Sequence, residues 1–476
     1  MTQPTPDQVL AQLAAYREHD APTHGGRVLS YVYDSGLAEL DELAGAAAAQ
    51  VQAVNALDPT TFGSVALMQA DLVTFARDVL GGGPGTVGAV TSGGTESILL
   101  AVLAARERWR ERHPGSRATP RIVAPSTAHA AFHKAAHYLG LEVTAVPVDP
   151  ASGTLPAARL VEHLDDATAL VVASAPAYPH GVLDPVAEIA AAATARDLPC
   201  HVDACVGGFV LPWWPGAEAW DLSVPGVTSI SADLHKFGYA PKGASVLLFT
   251  DPDLDRARYY ALTDWPGYPV VNPTALGSRS AMSLAAAWAV VTRLGPQGYA
   301  GLTASVVEAT ASVRQVLDRV RGLRLVGEPV GPLLAVTTDP GLPEAERVDP
   351  HAWATAVARR GFVLQGQPAL TQADGTTIPR STHLTITPVT TRVLAELGRA
   401  LTDGADDVRG RPPGPAAAEG PPGAGALPDP VALAHAARES GELDLAAVLA
   451  LIEGLPREQS AGLLVDFLAA FTAPRA

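Results

Sequence analysis

Short apolar runs alternate with segments of helical periodicity through the middle of the chain. The runs that predict strands lie at 87–90, 121–124, 143–146, 169–173, 201–202, 229–231 and 245–249. Helical patterns occur between several of them, at about 95–112, 127–139 and 184–196. Short strands that alternate with helices are typical of βαβ units, which build a mainly parallel sheet. Residues 60–295 are therefore predicted to form a large α/β domain.

The flanking regions have different patterns. Residues 1–59 are predicted to form an N-terminal helical segment, from helical patterns at 6–20 and 36–56. Residues 296–402 are predicted to form a smaller α+β domain, because a helical pattern at 302–320 is followed by strand-like pieces at 333–337, 362–364 and 383–387. Residues 403–430 are rich in Pro and Gly and cannot bury a core, which predicts a linker to a helical tail at 431–476.

Composition narrows the possible functions. The 476 residues are 47% hydrophobic and 5% aromatic, which suits helices packed on a parallel sheet. The formal charge is −16, and no basic stripe interleaved with aromatic residues occurs, so a nucleic-acid partner is not expected. Cys200 and Cys205 are spaced neither as a zinc pair nor as a redox motif, which fits a reducing compartment. Without a signal-like N-terminus or a long apolar run, we expect a cytoplasmic protein with no membrane span.

A glycine-rich segment, Thr91-Ser-Gly-Gly-Thr-Glu-Ser97, follows the first predicted strand and opens a helix. Glycines let the backbone approach an anion, and the free amides of the helix N-terminus attract it. The hydroxyls of Thr95 and Ser97 could add donors. The segment predicts a phosphate site, although an ordinary glycine turn with a hydroxyl cap has the same pattern.

Asp203 and Lys236 are two further candidates for a functional site. Asp203 ends a predicted strand, where α/β sheets bind ligands, although a helix cap is an alternative reading. Lys236 lies beside Phe237 in an apolar context, and burial would lower its pKa and make the amine nucleophilic. The alternative is a solvated surface lysine. The chain contains only three lysines, of which Lys236 and Lys242 lie six residues apart, and this favours a task that arginine cannot perform.

Together these motifs resemble the pyridoxal-phosphate (PLP) dependent group II decarboxylase family of the aspartate-aminotransferase fold, fold type I. Within it, the sphingosine-1-phosphate lyase branch is most similar. The resemblance covers about residues 25–400 and is carried by the segments 91–101, 201–208, 231–243 and 273–279. It implies a large, mainly parallel-sheet domain and a smaller α+β domain.

The resemblance also implies roles for individual residues. Lys236 would be the Schiff-base lysine of PLP, Asp203 would pair with the pyridine nitrogen, and His129 would stack on the ring. The cofactor phosphate would be held by Gly94, Thr95 and His235 and, from the partner subunit of a homodimer with shared active sites, by Gly277 and Ser278. The substrate side would comprise Lys242, Tyr33, Asn55 and His180. His129, His133 and His137 have a spacing that could hold a metal on one helix face, but no acidic or Cys ligand is near, so no metal is expected.

The implied function is that of a carbon–carbon lyase that cleaves a Cα bond of a small amino substrate through a stabilised carbanion. Lys242 favours an aldehyde-lyase acting on a phosphorylated substrate, with an L-amino-acid decarboxylase as the alternative. An aminotransferase and a non-catalytic protein of the same fold are weaker readings. The chain departs from lyase relatives at Asn55-Ala-Leu-Asp58, where those relatives have a histidine, in a longer segment at 365–383, and in the linker and tail.

Overall fold

The predicted sheet block folds into one seven-stranded sheet. The computed structural model describes residues 3–411, 429–440, 448–449, 453 and 455–474. The strands of the main sheet are β1 (Val87–Thr91), β2 (Arg121–Pro125), β3 (Glu142–Val146), β4 (Thr168–Ser174), β5 (Cys200–Asp203), β6 (Ser229–Ala232) and β7 (Ser245–Phe249). All seven coincide with predicted apolar runs to within two residues at each end.

The order of strands in this sheet is β1-β7-β6-β5-β4-β2-β3. Strand β7 runs antiparallel to both of its neighbours, and the other pairs are parallel. In the register, Asp203 at the end of β5 pairs with Ser174 of β4 on one side and with Ser231 of β6 on the other. The carboxyl ends of β4, β5 and β6 therefore meet at one edge, where open α/β sheets bind ligands.

The helices of the described residues cover both faces of this sheet, pack beside the smaller sheet or lie outside both. They are α1 (Pro6–Tyr16), α2 (Ala38–Gln50), α3 (Gly63–Val79), α4 (Gly94–Arg112), α5 (Ala131–Leu139), α6 (Ala157–Val161), α7 (Val186–Thr194), α8 (Pro252–Arg256), α9 (Met282–Leu317), α10 (Pro350–Ala358), α11 (Leu394–Val408), α12 (Pro430–Ser440) and α13 (Arg457–Phe471). Because both faces are covered, the residues of β4 and β5 are all buried, and these strands read as continuous apolar runs.

The long helix α9 contains a kink, which lies before the helical pattern predicted at 302–320. Gly295 has φ 55° and ψ −177°, which is not helical, and Pro296 follows it. Proline lacks a backbone donor and disfavours a helical residue before it, so the axis changes direction here.

The second sheet has four strands in the order β10-β11-β15-β12. These are β10 (Leu323–Leu325), β11 (Leu333–Thr338), β12 (Gln365–Gln367) and β15 (Ser381–Thr385); two small hairpins are β8–β9 (Tyr260–Leu262, Val270–Asn272) and β13–β14 (Leu370–Thr371, Thr377–Ile378). A strand was predicted at 362–364, but it begins at Gln365. Phe362 is buried in the core of this region, and Val363 only forms an isolated bridge with Val28.

Helix α11 continues to Val408, beyond the predicted start of the linker at 403. Most of that predicted linker, residues 412–428, lies outside the described residues. The tail is described at α12, α13 and a few residues between them. Within the described ranges, no helix is both long and apolar enough to span a bilayer.

Candidate active site

A cavity of about 390 Å³ opens at the carboxyl ends of β4, β5 and β6. Its lining combines the start of α4 with residues that follow several strands. It includes Gly93, Gly94, Thr95, Glu96, His129, Ser174, Tyr178, Asp203, Cys205, Asp233, His235 and Lys236. Six of the residues predicted from the sequence thus share one cavity: Gly94, Thr95, His129, Asp203, His235 and Lys236.

The glycine-rich segment forms the wall of the cavity at the N-terminus of α4. Gly93 has φ 153°, a conformation that favours glycine, and no side chain caps the helix there. A Cβ on Gly94 would lie 2.7 Å from the Cys205 Sγ, so only glycine fits this close packing. The first amides of α4 are thus available to an anion.

Ser97 does not contribute a hydroxyl to this wall, contrary to the prediction. Its Oγ is buried, 2.7 Å from the Thr91 Oγ1 and 3.0 Å from the Ser245 Oγ. It lies on the face of α4 that packs against the sheet, so its hydroxyl stabilises the junction of β1, β7 and α4.

Lys236 points into the cavity, and its Nζ lies 2.9 Å from the Oδ2 of Asp233. Burial by itself would lower the pKa of the Lys236 ammonium, but the Asp233 carboxylate and weaker acidic neighbours raise it above its ordinary value. The prediction that the Lys236 pKa is lowered was therefore wrong. That prediction rested on the apolar neighbours of Lys236 and left out the carboxylate of Asp233, three residues earlier.

Asp203 lies at the end of β5, with its Oδ1 accepting a 3.1 Å hydrogen bond from the Cys205 backbone N–H. His235 accepts a 3.3 Å hydrogen bond at Nδ1 from the Ala244 N–H, which orients its ring beside Gly93. Burial lowers the pKa of His235, against the opposing effect of Asp233.

His129 precedes α5, which begins at Ala131, and its ring meets Tyr178 edge-on at 6.4 Å. The predicted common helix face of His129, His133 and His137 is therefore not formed, because a turn at 126–130 delays the helix. In the part of the chain that the structure describes, no three metal-ligating side chains cluster.

Lys242 lies outside the cavity lining but close to Lys236. Its Nζ lies 4.6 Å from the centre of the Tyr33 ring and donates a 3.1 Å hydrogen bond to the His235 carbonyl. The Tyr33 ring packs edge-on against Phe237 at 5.3 Å. Partial desolvation and the charge of Lys236 lower the pKa of Lys242 to about 8.

The remaining predicted residues are not part of the cavity lining. The Asn55 amide donates a 3.2 Å hydrogen bond to the Ser278 Oγ, so Asn55 holds the loop that contains Ser278. Gly277 and Ser278 are exposed in the single chain. His180 is buried beside Gly153, and burial lowers its pKa to about 4.

Asp233, Tyr178 and Gln365 are among the residues at or beside the cavity that the sequence did not predict. Asp233 lies within the segment 231–243, which carries the family resemblance, but the resemblance implied no role for it. Tyr178 lines the cavity, and its hydroxyl donates a 2.6 Å hydrogen bond to the Gln365 Oε1. The Gln365 amide in turn donates to the Tyr31 hydroxyl at 2.8 Å. Gln365 is distant in sequence from both tyrosines, so no local pattern could have identified this contact.

Comparison with known proteins gives consistent results. The model of the pyridoxal-dependent decarboxylase conserved domain matches residues 52–321. A sphingosine-1-phosphate lyase of Dictyostelium discoideum is 39% identical over 289 residues, 60% of this chain and 54% of the relative. Sphingosine-1-phosphate lyase 1 of Rattus norvegicus is 37% identical over 68% of this chain and 57% of the relative, so the chain spans little more than half the length of either protein.

A solved structure extends the comparison to the fold. The sphingosine-1-phosphate lyase Bpss2021 of Burkholderia pseudomallei K96243 superposes with a TM-score of 0.78 at 32% identity, covering 86% of this chain and 92% of that one. The similarity therefore extends over most of the chain.

Proposed function

The chain belongs to the pyridoxal-dependent decarboxylase family, and on this basis we propose that it is a PLP-dependent aldehyde-lyase of the sphingosine-1-phosphate lyase type. The substrate would be a phosphorylated amino alcohol, cleaved between Cα and Cβ into an aldehyde and a phosphorylated amine. The observation that carries the proposal is the proximity of two lysines with different surroundings: Lys236 inside the cavity and Lys242 at its edge.

The residues of the cavity fit PLP. The uncapped N-terminus of α4, where a Cβ on Gly94 would collide with its neighbours, suits a phosphate. Lys236 supplies the amine and Asp203 a carboxylate at the adjacent strand end. His129 supplies an aromatic ring at the same cavity. These groups have the chemistry that the phosphate, aldehyde, ring nitrogen and ring face of PLP require.

When bound, PLP would accept electrons from the bond that breaks at the α carbon of the substrate. Asp203 would keep the ring nitrogen protonated through its carboxylate, and the α4 amides, Thr95 and His235 would hold the phosphate. Lys236 would hold or release a proton at Nζ near the reacting carbon. The Tyr178 hydroxyl, fixed by Gln365, would orient the substrate.

Lys242 favours cleavage of a phosphorylated substrate over decarboxylation. Its ammonium lies above the Tyr33 ring, where it would pair with a substrate phosphate by charge. An L-amino-acid decarboxylase is the second candidate, since the family also performs that chemistry on the same cofactor. Tyr33 would line the substrate side. The resemblance also places Asn55 and His180 there, but neither lines the cavity of this chain.

We also propose a cytoplasmic homodimer in which Gly277 and Ser278 reach the phosphate of the partner. Both residues are exposed, and Asn55 orders their loop. Cys200 and Cys205 are buried free thiols, as expected in a reducing compartment. The proposed domain boundary at 295/296 coincides with the kink in α9. The boundaries after 59 and 430 are also proposals, whereas that after 402 falls inside α11.

Absorbance spectroscopy and product analysis test the proposal. Purified protein should show a cofactor band that is lost in Lys236→Ala. Incubation with a phosphorylated long-chain amino alcohol should release an aldehyde and phosphoethanolamine. Carbon dioxide release from an amino acid, without aldehyde formation, would support the decarboxylase instead, and a protein that cannot be reconstituted with PLP would exclude both.

A further inference from the structure

Asp233 is a buried carboxylate beside the reactive lysine, and it has no role in the function proposed above. It is 2% exposed, and its Oδ2 lies 2.9 Å from the Lys236 Nζ. Its other oxygen, Oδ1, makes no hydrogen bond among the described residues. A buried charge is costly unless it is paired, so this carboxylate depends on its immediate neighbours.

Those neighbours place Asp233 under the wall of the phosphate site. A Cβ on Gly94 would lie 2.8 and 2.9 Å from its two carboxylate oxygens. The His235 Nε2 lies 3.6 Å from Oδ2. The titratable groups that influence the Asp233–Lys236 pair electrostatically are Asp203, Cys205, Tyr33, His235 and Lys242.

The pair creates a chemical requirement. A lysine reacts with an aldehyde as the neutral amine, whereas Asp233 stabilises the Lys236 ammonium. Lys236 must therefore lose a proton before it can bond to a carbonyl carbon. Releasing that proton to water would leave the buried carboxylate unpaired. Transferring it to Asp233, whose Oδ2 lies 2.9 Å from Nζ, leaves a neutral acid and a neutral amine, and the net charge of the site does not change.

The other nearby groups are poor acceptors for this proton. His235 Nδ1 accepts the Ala244 N–H, so in the neutral ring the hydrogen is on Nε2, the atom nearest Asp233. Burial raises the pKa of Tyr33 to about 12, so its hydroxyl stays protonated. Asp203 accepts the Cys205 N–H and acts on Lys236 only at longer range.

We propose that Asp233 is the proton acceptor that converts the Lys236 ammonium to the amine when PLP is captured, and that it returns the proton when the cofactor leaves. This rests on the proposed function, because it requires Lys236 to bond to the PLP aldehyde. The proton moves from Nζ to Oδ2. The nitrogen then forms a double bond to the aldehyde carbon, and the aldehyde oxygen leaves as water with the two remaining amine hydrogens.

The test measures how fast the cofactor-free protein binds PLP, and it does not measure catalytic turnover. Cofactor-free protein is mixed with PLP between pH 6 and 9, and growth of the cofactor band is timed at each pH. Borohydride reduction and peptide mapping confirm that the bond is at Lys236. The rate for each variant is divided by the wild-type rate at the same pH. This ratio, the relative rate, cancels the effect that the ionisation of PLP has on both rates.

For Asp233→Asn we expect the relative rate to rise with pH, by up to about ten-fold per unit, until the pH reaches the pKa that Lys236 has without the carboxylate. Below that pKa the lysine becomes neutral only by releasing its proton to solvent, and because burial by itself lowers the pKa, the rise should level off within the range tested. Asp233→Glu keeps a carboxylate, so its relative rate should be nearly independent of pH. Formate, but not chloride, should restore capture by Asp233→Ala at pH 7.

A parallel loss at every pH, with no rescue by formate, would mean that Asp233 only packs against Gly94, and would overturn the proposal. Asp255→Asn is the matched control, because Asp255 is also buried and pairs at 2.7 Å with a base three residues later, Arg258, away from the cavity. It should lower stability without changing the pH dependence of capture. Absence of the band in wild-type protein would instead contradict the proposed function.

Discussion

The Lys242 ammonium lies 4.6 Å from the centre of the Tyr33 ring, at the edge of the cavity that contains Lys236. A cation above an aromatic face is attracted to the ring and keeps its full positive charge. Lys242 is also partly desolvated, which strengthens its attraction to an anion. This arrangement makes Lys242 the residue through which the preference for phosphorylated substrates can be tested.

Replacing Lys242 with Ala should lower kcat/KM for phosphorylated substrates and not for unphosphorylated ones. A hydrogen bond to a charged group contributes about 1.5–3 kcal/mol, so kcat/KM for a phosphorylated amino alcohol should fall roughly 10- to 150-fold. An unphosphorylated analogue should be nearly unaffected. Steady-state kinetics with both substrates measure the difference.

The matched control for that variant is Lys134→Ala. Lys134 also lies over a tyrosine ring, 5.6 Å from the centre of Tyr138, but on α5 and outside the cavity lining. It should leave both substrates unchanged. An equal loss for both substrates in Lys242→Ala would argue against a phosphate pocket.

The pKa of Lys242, lowered to about 8, predicts the pH dependence of phosphate recognition. The ammonium is present below this pKa and is lost as the pH rises through it. The kcat/KM ratio of phosphorylated to unphosphorylated substrate should therefore decline between pH 7 and 9. Lys242→Arg keeps its charge over this range and should abolish the decline, and a ratio that stays constant in the wild type would contradict the assignment.

Adding one methyl group at Gly94 should weaken cofactor binding. The new Cβ would lie within 2.9 Å of the Cys205 Sγ and the Asp233 carboxylate, and the N-terminus of α4 would have to shift. We expect the Kd for PLP, measured by absorbance titration, to rise more than ten-fold in Gly94→Ala.

Gly301→Ala is the control, because a Cβ at Gly301 in α9 meets no atom within 4 Å. That change should preserve cofactor affinity and stabilise the helix by up to about 1 kcal/mol. Normal PLP affinity in Gly94→Ala would show that the helix terminus does not bind the cofactor phosphate.

The tail contacts the segment that follows Gln365. The Glu453 carboxylate accepts a 2.8 Å hydrogen bond from the Ala369 backbone N–H and forms a charged hydrogen bond with Arg380. Glu453→Ala should therefore loosen residues 369–380, and limited proteolysis should cleave there several-fold faster than in the wild type.

Glu328→Ala removes an exposed ion pair with Arg314 and should not change that cleavage rate, because exposed pairs contribute little. If Glu453→Ala and the wild type are cleaved equally fast, the tail does not restrain this segment. Kinetics of the same variant would show whether the restraint extends through Gln365 to Tyr178.

The sequence by itself determined the seven strands of the main sheet and the glycine-rich start of α4, and it singled out Lys236 and Asp203 as candidate site residues, which the fold brings to one cavity. Apolar periodicity and short motifs are local properties, and the energetics of burial and of helix termini act within a few residues. The errors lie at element boundaries: a turn precedes α5 and places His129 before the helix, and the strand predicted at 362–364 begins at Gln365.

Only the tertiary structure decided the ionisation of Lys236 and the neighbours of the cavity. Whether burial lowers a lysine pKa or a carboxylate raises it depends on a distance of 2.9 Å, which residue spacing does not specify. The link from Tyr178 to Gln365 joins residues 187 positions apart, and the Ala369–Glu453 contact joins residues 84 apart. Such contacts depend on how separately folded elements pack, because their energies arise only once the chain has brought the elements together.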